Sequence, residues 1–315
     1  MNTNIKNITV VGSGVIGSGW IARFLAHGYN VTATDPAPGA EEKLRIAVDH
    51  AWKSLEKKGL AEGASKGNLT FELDFEKAIA SADLVQENAP EREDLKQKLL
   101  SEIDRIAHPD TIIASSTSGY KPSTLQQFCG NHPERVIVAH PFNPVYLIPL
   151  VELVGGEKTP AHIMERAENF YQSASMKTLI VRHEIEGHIA DRLMEALWRE
   201  ALHLVNDGVA TTEEIDDSII YGAGLRWALM GPFLTFHLAG GEQGMRHMLD
   251  QFGPALKSPW TKLVAPELTE DLKEKVIAGT AAQSEGSTIK ELEEKRDNFL
   301  IELQDLLQKY WSEAK

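Results

Sequence analysis

His140, Glu152 and a run of hydroxyls, Ser115-Ser116-Thr117-Ser118-Gly119, lie close together near the middle of the chain. His140 ends an apolar β-type run over 136–139 and is followed by Pro141. Glu152 sits inside a second run, Leu150-Val151-Glu152-Leu153-Val154. A carboxylate there is costly to bury unless it is paired, and a histidine is its natural partner. The hydroxyl run follows a third apolar stretch, 111–115. Its side chains therefore fall at the carboxyl end of a strand, where open α/β sheets bind ligands. The chemistry these residues suit is oxidation of an alcohol. A histidine, titrating near neutrality, takes the hydroxyl proton as hydride leaves the carbon. A carboxylate on its other nitrogen fixes the tautomer and stabilises the imidazolium that forms. Each residue also has a plainer reading: a loop histidine, a strand-edge carboxylate, a helix cap ahead of Pro122. Together they favour the catalytic one.

A departing hydride needs an acceptor, and the start of the chain offers a place for one. Gly12-Ser13-Gly14-Val15-Ile16-Gly17 follows a β-rich run, 5–11, and opens a segment of helical spacing, 16–27. Gly12 allows a tight turn, Gly14 a close approach of backbone to pyrophosphate, and Gly17 close packing of helix on strand. The helix N-terminus presents free N–H groups to the phosphates. Asp35 ends a second strand about 20 residues on, where a carboxylate accepts from the ribose hydroxyls. It would repel a 2′-phosphate, and Pro36-Ala37-Pro38-Gly39 after it includes no base, so NAD is expected over NADP.

These sites require strands that end side by side. Strand-like runs at 5–11, 31–34, 69–73, 83–86, 111–115, 136–139, 150–154 and 179–181 alternate with helical spacing at 16–27, 41–58 and 93–107. That order predicts an α/β fold, a Rossmann-type doubly wound and mainly parallel sheet. Near residue 184 the character changes to helical periodicity, with Ile189, Leu193, Leu197, Ala201, Leu204 and Val205 in one stripe. Thr211-x-x-Glu214 and Thr288-x-x-Glu291 read as capping boxes. We therefore expect a dinucleotide domain over 1–184 and an all-helical domain over 185–315. The apolar stripe of the last helix, with Phe299, needs a cover, and a two-fold homodimer is the default expectation.

With 315 residues, 42% apolar and 25% charged, the chain is long enough for two packed domains and unlike a disordered one. Its net charge of −14 argues against a nucleic-acid partner. It also suits a polyanionic coenzyme A ester poorly, although salt screens such long-range fields. The single cysteine, Cys129, can form neither an internal disulfide nor a Cys-rich zinc site, so an inert buried thiol and no metal are expected. The apolar stretch 219–239 approaches a membrane span in length, but Arg226, Pro232 and three glycines interrupt it. No signal-peptide pattern is visible, and a cytoplasmic protein without a membrane partner is expected.

The motifs GSGVIGSGWIARFLAHGYNVTATD, ADLVQENAPEREDLKQKLL, SSTSG, HPFNPVYLIPLVELVGG and EGHIADRL, in this order, resemble the 3-hydroxyacyl-CoA dehydrogenase family over essentially the whole chain. The resemblance implies an N-terminal NAD domain and a dimerising helical domain. It implies His140 as base, Glu152 as its partner and Ser118 near the substrate hydroxyl, with Glu91, Lys96 and Asn143 lining the NAD site. Two positions depart from the family pattern: Ser116 and Asp191 stand where asparagines are usual. Asp191 adds negative charge beside the chemistry, which suits a cationic substrate. A structural pairing with Arg192 or Arg199 is the alternative. The C-terminal motif YGAGLRWALMGPF is similar to members that oxidise small free hydroxy acids, and the resemblance carried by GLRWALMGPFLTFHLAGGEQGMRHMLDQFGPALKSPWTKL implies L-carnitine as the small-molecule substrate. L-gulonate, a 3-hydroxyacyl-CoA and a non-catalytic, crystallin-like role are the rivals. Quaternary ammonium groups are held against aromatic faces, for which Trp198, Trp227, Phe233, Phe236 and Trp260 are candidates, with Arg226 for the carboxylate.

Overall fold

A computed structural model of the protein describes residues 5–252, 264, 267, 269–283 and 287–311, so Trp260 lies outside the described residues. The chain divides into two compact units, Met1–Asp191 and Arg192–Lys315.

In the first unit, β1 (Asn7–Val11) leads into α1 (Val15–Ala26), β2 (Asn30–Thr34), α2 (Ala40–Lys58) and β3 (Leu69–Phe71). Then come α3 (Phe75–Ala80), β4 (Leu84–Glu87), α4 (Glu93–Ile106), β5 (Ile112–Ser115), α5 (Pro122–Gln126) and β6 (Val136–Pro141). The unit closes with β7 (Leu150–Gly155), α6 (Ala161–Ser173) and β8 (Lys177–Val181). The eight strands form one sheet in the order β3-β2-β1-β4-β5-β6-β7-β8. The order reverses between β1 and β4, the switch point at which ligands bind outside the carboxyl ends of the strands.

All pairings are parallel except β6 with β7. Residues 142–149 are too short to make the crossover that a parallel return requires, so the chain turns back as a hairpin. The alternation of strands and helices did not reveal this reversal, and it sets the geometry of the site. Helices α3, α5 and α6 were likewise not read from the pattern. The first two are short, whereas Ile163, Ala167, Phe170 and Tyr171 mark the buried face of α6 at helical spacing.

Both faces of the sheet are covered. On β6, Ile137 and Ala139 join the core that holds Trp20, Phe24 and Phe170, while Val136 and Val138 join the opposite one with Leu100, Ile103 and Cys129. This period of two follows from the pleat. Burial and the nearby Asp104 push the Cys129 thiol up to about 12, so it is no nucleophile at neutral pH.

The second unit is helical, with α7 (Ala190–Asn206) entering it. It continues through α8 (Thr212–Ser218), a π turn at Ile219–Ala223, α9 (Gly224–Ala239), α10 (Gly244–Phe252), α11 (Glu270–Gln283) and α12 (Ile289–Trp311). Thr211 and Glu214 form a reciprocal capping box, and Thr288 exchanges the same bonds with Glu291. Gly231, at φ 65° and just before Pro232, breaks α9. Among the described residues no helix is long and apolar enough to cross a membrane.

Candidate active site

The β6–β7 hairpin places His140 and Glu152 directly opposite each other as cross-strand partners. His140 Nδ1 lies 3.0 Å from Glu152 Oε2. The second carboxylate oxygen accepts from the backbone N–H groups of Ile189 and Ala190, both at 2.9 Å. Burial alone would raise the Glu152 carboxyl, but the bonds from His140, Ala190 and Ile189 hold it below the usual range. An ionised carboxylate only accepts, so His140 donates from Nδ1 and presents Nε2 on its other side. That nitrogen faces Asp191, whose Oδ2 is 3.5 Å away. Asp191 thus stands beside the histidine.

His188, which the motif reading passed over, packs here too. Its ring centroid is 5.5 Å from that of His140, and its Nε2 is 3.2 Å from the Thr117 carbonyl. Burial pushes its pKa down, partly offset by the bond to Thr117. The neutral ring therefore donates from Nε2, and its buried Nδ1 has no hydrogen-bond partner. The sequence signal was a histidine next to Gly187 in the same EGHIADRL segment; His188 takes a left-handed φ of 46° there.

The hydroxyl run after β5 is held from below. Thr117 donates its hydroxyl to Glu91, which also accepts from the backbone N–H groups of Ser118 and Gly119 at 3.2 and 3.3 Å. Ser118 is exposed at the end of the strand. Ser116, one of the two departures from the family pattern, closes a network: it accepts from Trp20 Nε1 (3.1 Å) and Gln86 Nε2 (2.9 Å) and donates to Asn88 Oδ1 (2.7 Å). Lys96 is buried, with its ammonium on Glu87 (3.0 and 3.2 Å) and the Ala89 carbonyl (3.0 Å), and it lies 3.4 Å from Glu91. Lys96 and Glu91 thus brace the loops that follow β4 and β5. Asn143 is exposed beyond β6, next to a cis Asn143–Pro144 bond.

The glycine turn fits a dinucleotide. Gly12 has a left-handed φ of 85°, and a Cβ there would meet the Asn88 carbonyl at 2.8 Å. A Cβ on Gly17 would stand 1.9 Å from the Gly12 carbonyl, whereas Gly14 opens onto space. Gly14 caps α1 with no side-chain bond and no acidic residue follows in the first turn, which leaves the helix end to an anion. Val15 is 70% exposed at that end, an apolar surface beside the phosphate position, while Ile16 packs on the core. Asp35 accepts from Ser13 N and Oγ at 2.8 and 2.9 Å and from Ala37 N at 2.9 Å. Against the opposing effect of partial burial, these bonds lower its pKa and keep it ionised. A cleft of about 710 Å³ continues past Pro36 and Gly39 to Phe71. Arg45 borders it but is bonded to Glu41 at 2.7 Å.

Comparison with known proteins agrees with this geometry. Residues 7–185 match the NAD binding domain of 3-hydroxyacyl-CoA dehydrogenase, and residues 187–283 match its C-terminal domain. The chain belongs to the 3-hydroxyacyl-CoA dehydrogenase family. It is an NAD-dependent oxidoreductase of that family. An L-carnitine dehydrogenase of Bacillus cereus is 67% identical over 311 residues, covering 99% of this chain and 95% of that one. An L-carnitine dehydrogenase of Oceanobacillus iheyensis is 62% identical, covering 98% and 100%. Among solved structures, a 5-formyl-3-hydroxy-2-methylpyridine 4-carboxylic acid 5-dehydrogenase superposes with a TM-score of 0.82 at 29% identity, covering 96% and 99%.

The remaining expected substrate residues lie in the second unit. Trp198, Trp227, Phe233 and Phe236 are 57, 38, 80 and 48% exposed, and Arg226 is exposed as well. Trp198 also borders an apolar cavity of about 380 Å³ between α7 and α8, with Met194, Leu197 and Ile215.

Proposed function

We propose that this protein oxidises the 3-hydroxyl of L-carnitine to 3-dehydrocarnitine. The observation that carries the chemistry is the buried Glu152 carboxylate, which holds the His140 proton on Nδ1 and leaves Nε2 as a base. The carnitine dehydrogenases at 67 and 62% identity supply the substrate.

NAD, when bound, supplies the acceptor for the hydride that leaves carbon 3. Gly12, Ser13, Gly14, Val15, Ile16, Gly17 and Asp35 hold it, supported by Glu91, Lys96 and Asn143. His140 Nε2 takes the hydroxyl proton, and Glu152 balances the imidazolium so formed. Ser118 bonds the substrate oxygen and keeps it in line with that nitrogen. Residues 1–184 serve the dinucleotide, and 185–315 serve substrate selection and dimerisation. There Trp198, Trp227 and Phe233 offer faces to the trimethylammonium group and Arg226 receives the carboxylate. Because the reaction releases a proton, alkaline conditions favour oxidation. The cytoplasm, where NAD and small hydroxy acids mix freely, is the proposed setting.

The test is NAD reduction measured with L-carnitine, D-carnitine, L-gulonate and a 3-hydroxybutyryl thioester. L-carnitine should give the highest kcat/KM; turnover with the thioester alone overturns the reading. The homodimer is supported by the exposed Phe299 and Leu306 of α12. Analytical ultracentrifugation showing only monomer at micromolar concentration would remove it.

A further inference from the structure

His188 combines two unfavourable features. Its backbone takes a left-handed φ of 46°, directly after Gly187 at φ 70°, a region that few residues other than glycine occupy. Its ring is wholly buried and Nδ1 has no hydrogen-bond partner there, although an unmade bond inside a protein is expensive. Such features persist where the surroundings hold them in place, and they cluster at functional sites. What holds His188 is specific. Its Nε2 lies 3.2 Å from the carbonyl of Thr117, the residue before Ser118. A carbonyl only accepts, so that nitrogen donates. The ring stands 5.5 Å from that of His140, inclined at 48°. The next two residues, Ile189 and Ala190, donate their N–H groups to Glu152 at 2.9 Å. Residues 188–190 thus reach the hydroxyl loop after β5, His140 on β6 and Glu152 on β7.

Resting on the reading of His140 as the base in the oxidation proposed above, we infer that His188 is a positioning residue whose N–H bond to the Thr117 carbonyl sets the distance between Ser118 and His140. A substrate hydroxyl must meet a donor and a base at once, and a misplacement of about 1 Å costs about 10²-fold in rate. Thr117 is gripped on two sides. Its hydroxyl donates to Glu91, on the loop after β4, and its carbonyl accepts from His188. Glu91 also takes the N–H groups of Ser118 and Gly119. Those bonds tie the hydroxyl loop to the segment after β4, whereas the His188 bond ties it to the ring packed on the base. An imidazole suits this task because it joins an aromatic face to a directed N–H at its tip. A phenylalanine would fill the space without the bond. Burial, with the charge of a protonated His140, disfavours a cationic His188, and Thr117, Glu152 and Asp191 offset this in part. A neutral ring can therefore accompany the base through proton transfer without adding a second positive charge beside the imidazolium.

The experiment measures oxidation of L-carnitine by the full-length protein and three variants. His188→Phe keeps the ring and loses the N–H. His188→Gln places an amide N–H where Nε2 stood. His188→Asn tolerates the left-handed backbone but places its N–H where Nδ1 stood, short of Thr117. The kcat should fall about 10- to 100-fold in His188→Phe and His188→Asn and return to within about threefold in His188→Gln. The Kd of NAD, read by fluorescence titration, should stay within about twofold in all three, which separates positioning from binding. A kcat kept within about threefold in His188→Phe overturns the inference. So does an equal fall in all three variants, or a loss of NAD affinity as large as the loss in kcat, either of which makes His188 a support for the fold alone. If His188→Phe fails to fold, the other pair decides: His188→Gln well above His188→Asn supports the inference, and equality defeats it. Turnover retained in His140→Ala would instead overturn the underlying reading. Were the unaltered protein to oxidise another hydroxy acid and not L-carnitine, the substrate reading would fall, and the same comparison made on that acid would decide the role of His188.

Discussion

In the first unit, polar and charged side chains lie deep and are all but consumed by partners. Arg23 is buried and donates to the carbonyls of Val145 (2.7 Å), Ala174 (3.2 Å), Ile148 (3.3 Å) and Ser175 (3.4 Å). Arg135 and Asp104 form a buried pair at 2.9 Å, as do Lys96 and Glu87 at 3.0 Å. In the second unit the situation is reversed: Tyr221, Leu225 and Phe233 expose 75, 68 and 80% of their surface. A buried charge without partners costs several kcal/mol, so the first unit holds a single arrangement and can aim His140 at one point. Exposed apolar surface costs far less per residue, and a contiguous patch of it is the kind of surface that takes a partner molecule. Precision sits in one unit and adaptable surface in the other.

The largest effect that sharpens this contrast is His140→Ala. Turnover should fall by about 10²- to 10⁴-fold, the range for loss of a general base. Steady-state NADH formation reads it, and turnover kept within a few-fold removes His140 from the chemistry. Next is Arg23→Met, which leaves four carbonyls short of a donor inside the sheet–helix core. Urea unfolding should show a loss of about 2–4 kcal/mol. A loss as small as that of an exposed residue would break the comparison, because the buried polar network would then not be holding the unit.

Acidification acts through Glu152. Its folded pKa lies below the ordinary carboxylate value, so its contribution to stability is present above the unfolded pKa, about 4.3, and is lost as pH falls through the folded one. The thermal stability advantage of the unaltered protein over Glu152→Gln should therefore hold down to about pH 5 and shrink below it as the solution is acidified further, as followed by calorimetry. An advantage that grows on acidification contradicts the hydrogen-bonding scheme. The smallest effect is expected in the second unit. Thr211→Ala removes one exposed cap of α8 and should cost about 1 kcal/mol in thermal or urea unfolding.

Much of the first unit was legible because its signals are local. Gly12, Gly14 and Gly17 act through backbone geometry within a few residues, and the strand-then-helix alternation follows from periodicity alone. Asp35 was found by its distance along the chain from the glycine turn. His140 and Glu152 were chosen by type and apolar context, without evidence that they meet. His188 was missed although it stands next to Gly187 in the EGHIADRL segment, because what matters about it is its packing on His140, which the segment alone does not show. The departure at Ser116 had no meaning until Trp20, Gln86 and Asn88 were seen to converge on it.

The sequence by itself determined the alternation of elements, the glycine turn between strand and helix with Asp35 at the end of the next strand, and the change to a helical second half. Each rests on spacing within one or two turns of helix or one strand. Only the tertiary structure decided the antiparallel return of β7, the register that sets His140 opposite Glu152, and the approach of Asp191 to the far side of the imidazole. Register and approach depend on contacts between segments distant in sequence. No local propensity encodes them, and they emerge only when both faces of the sheet are packed.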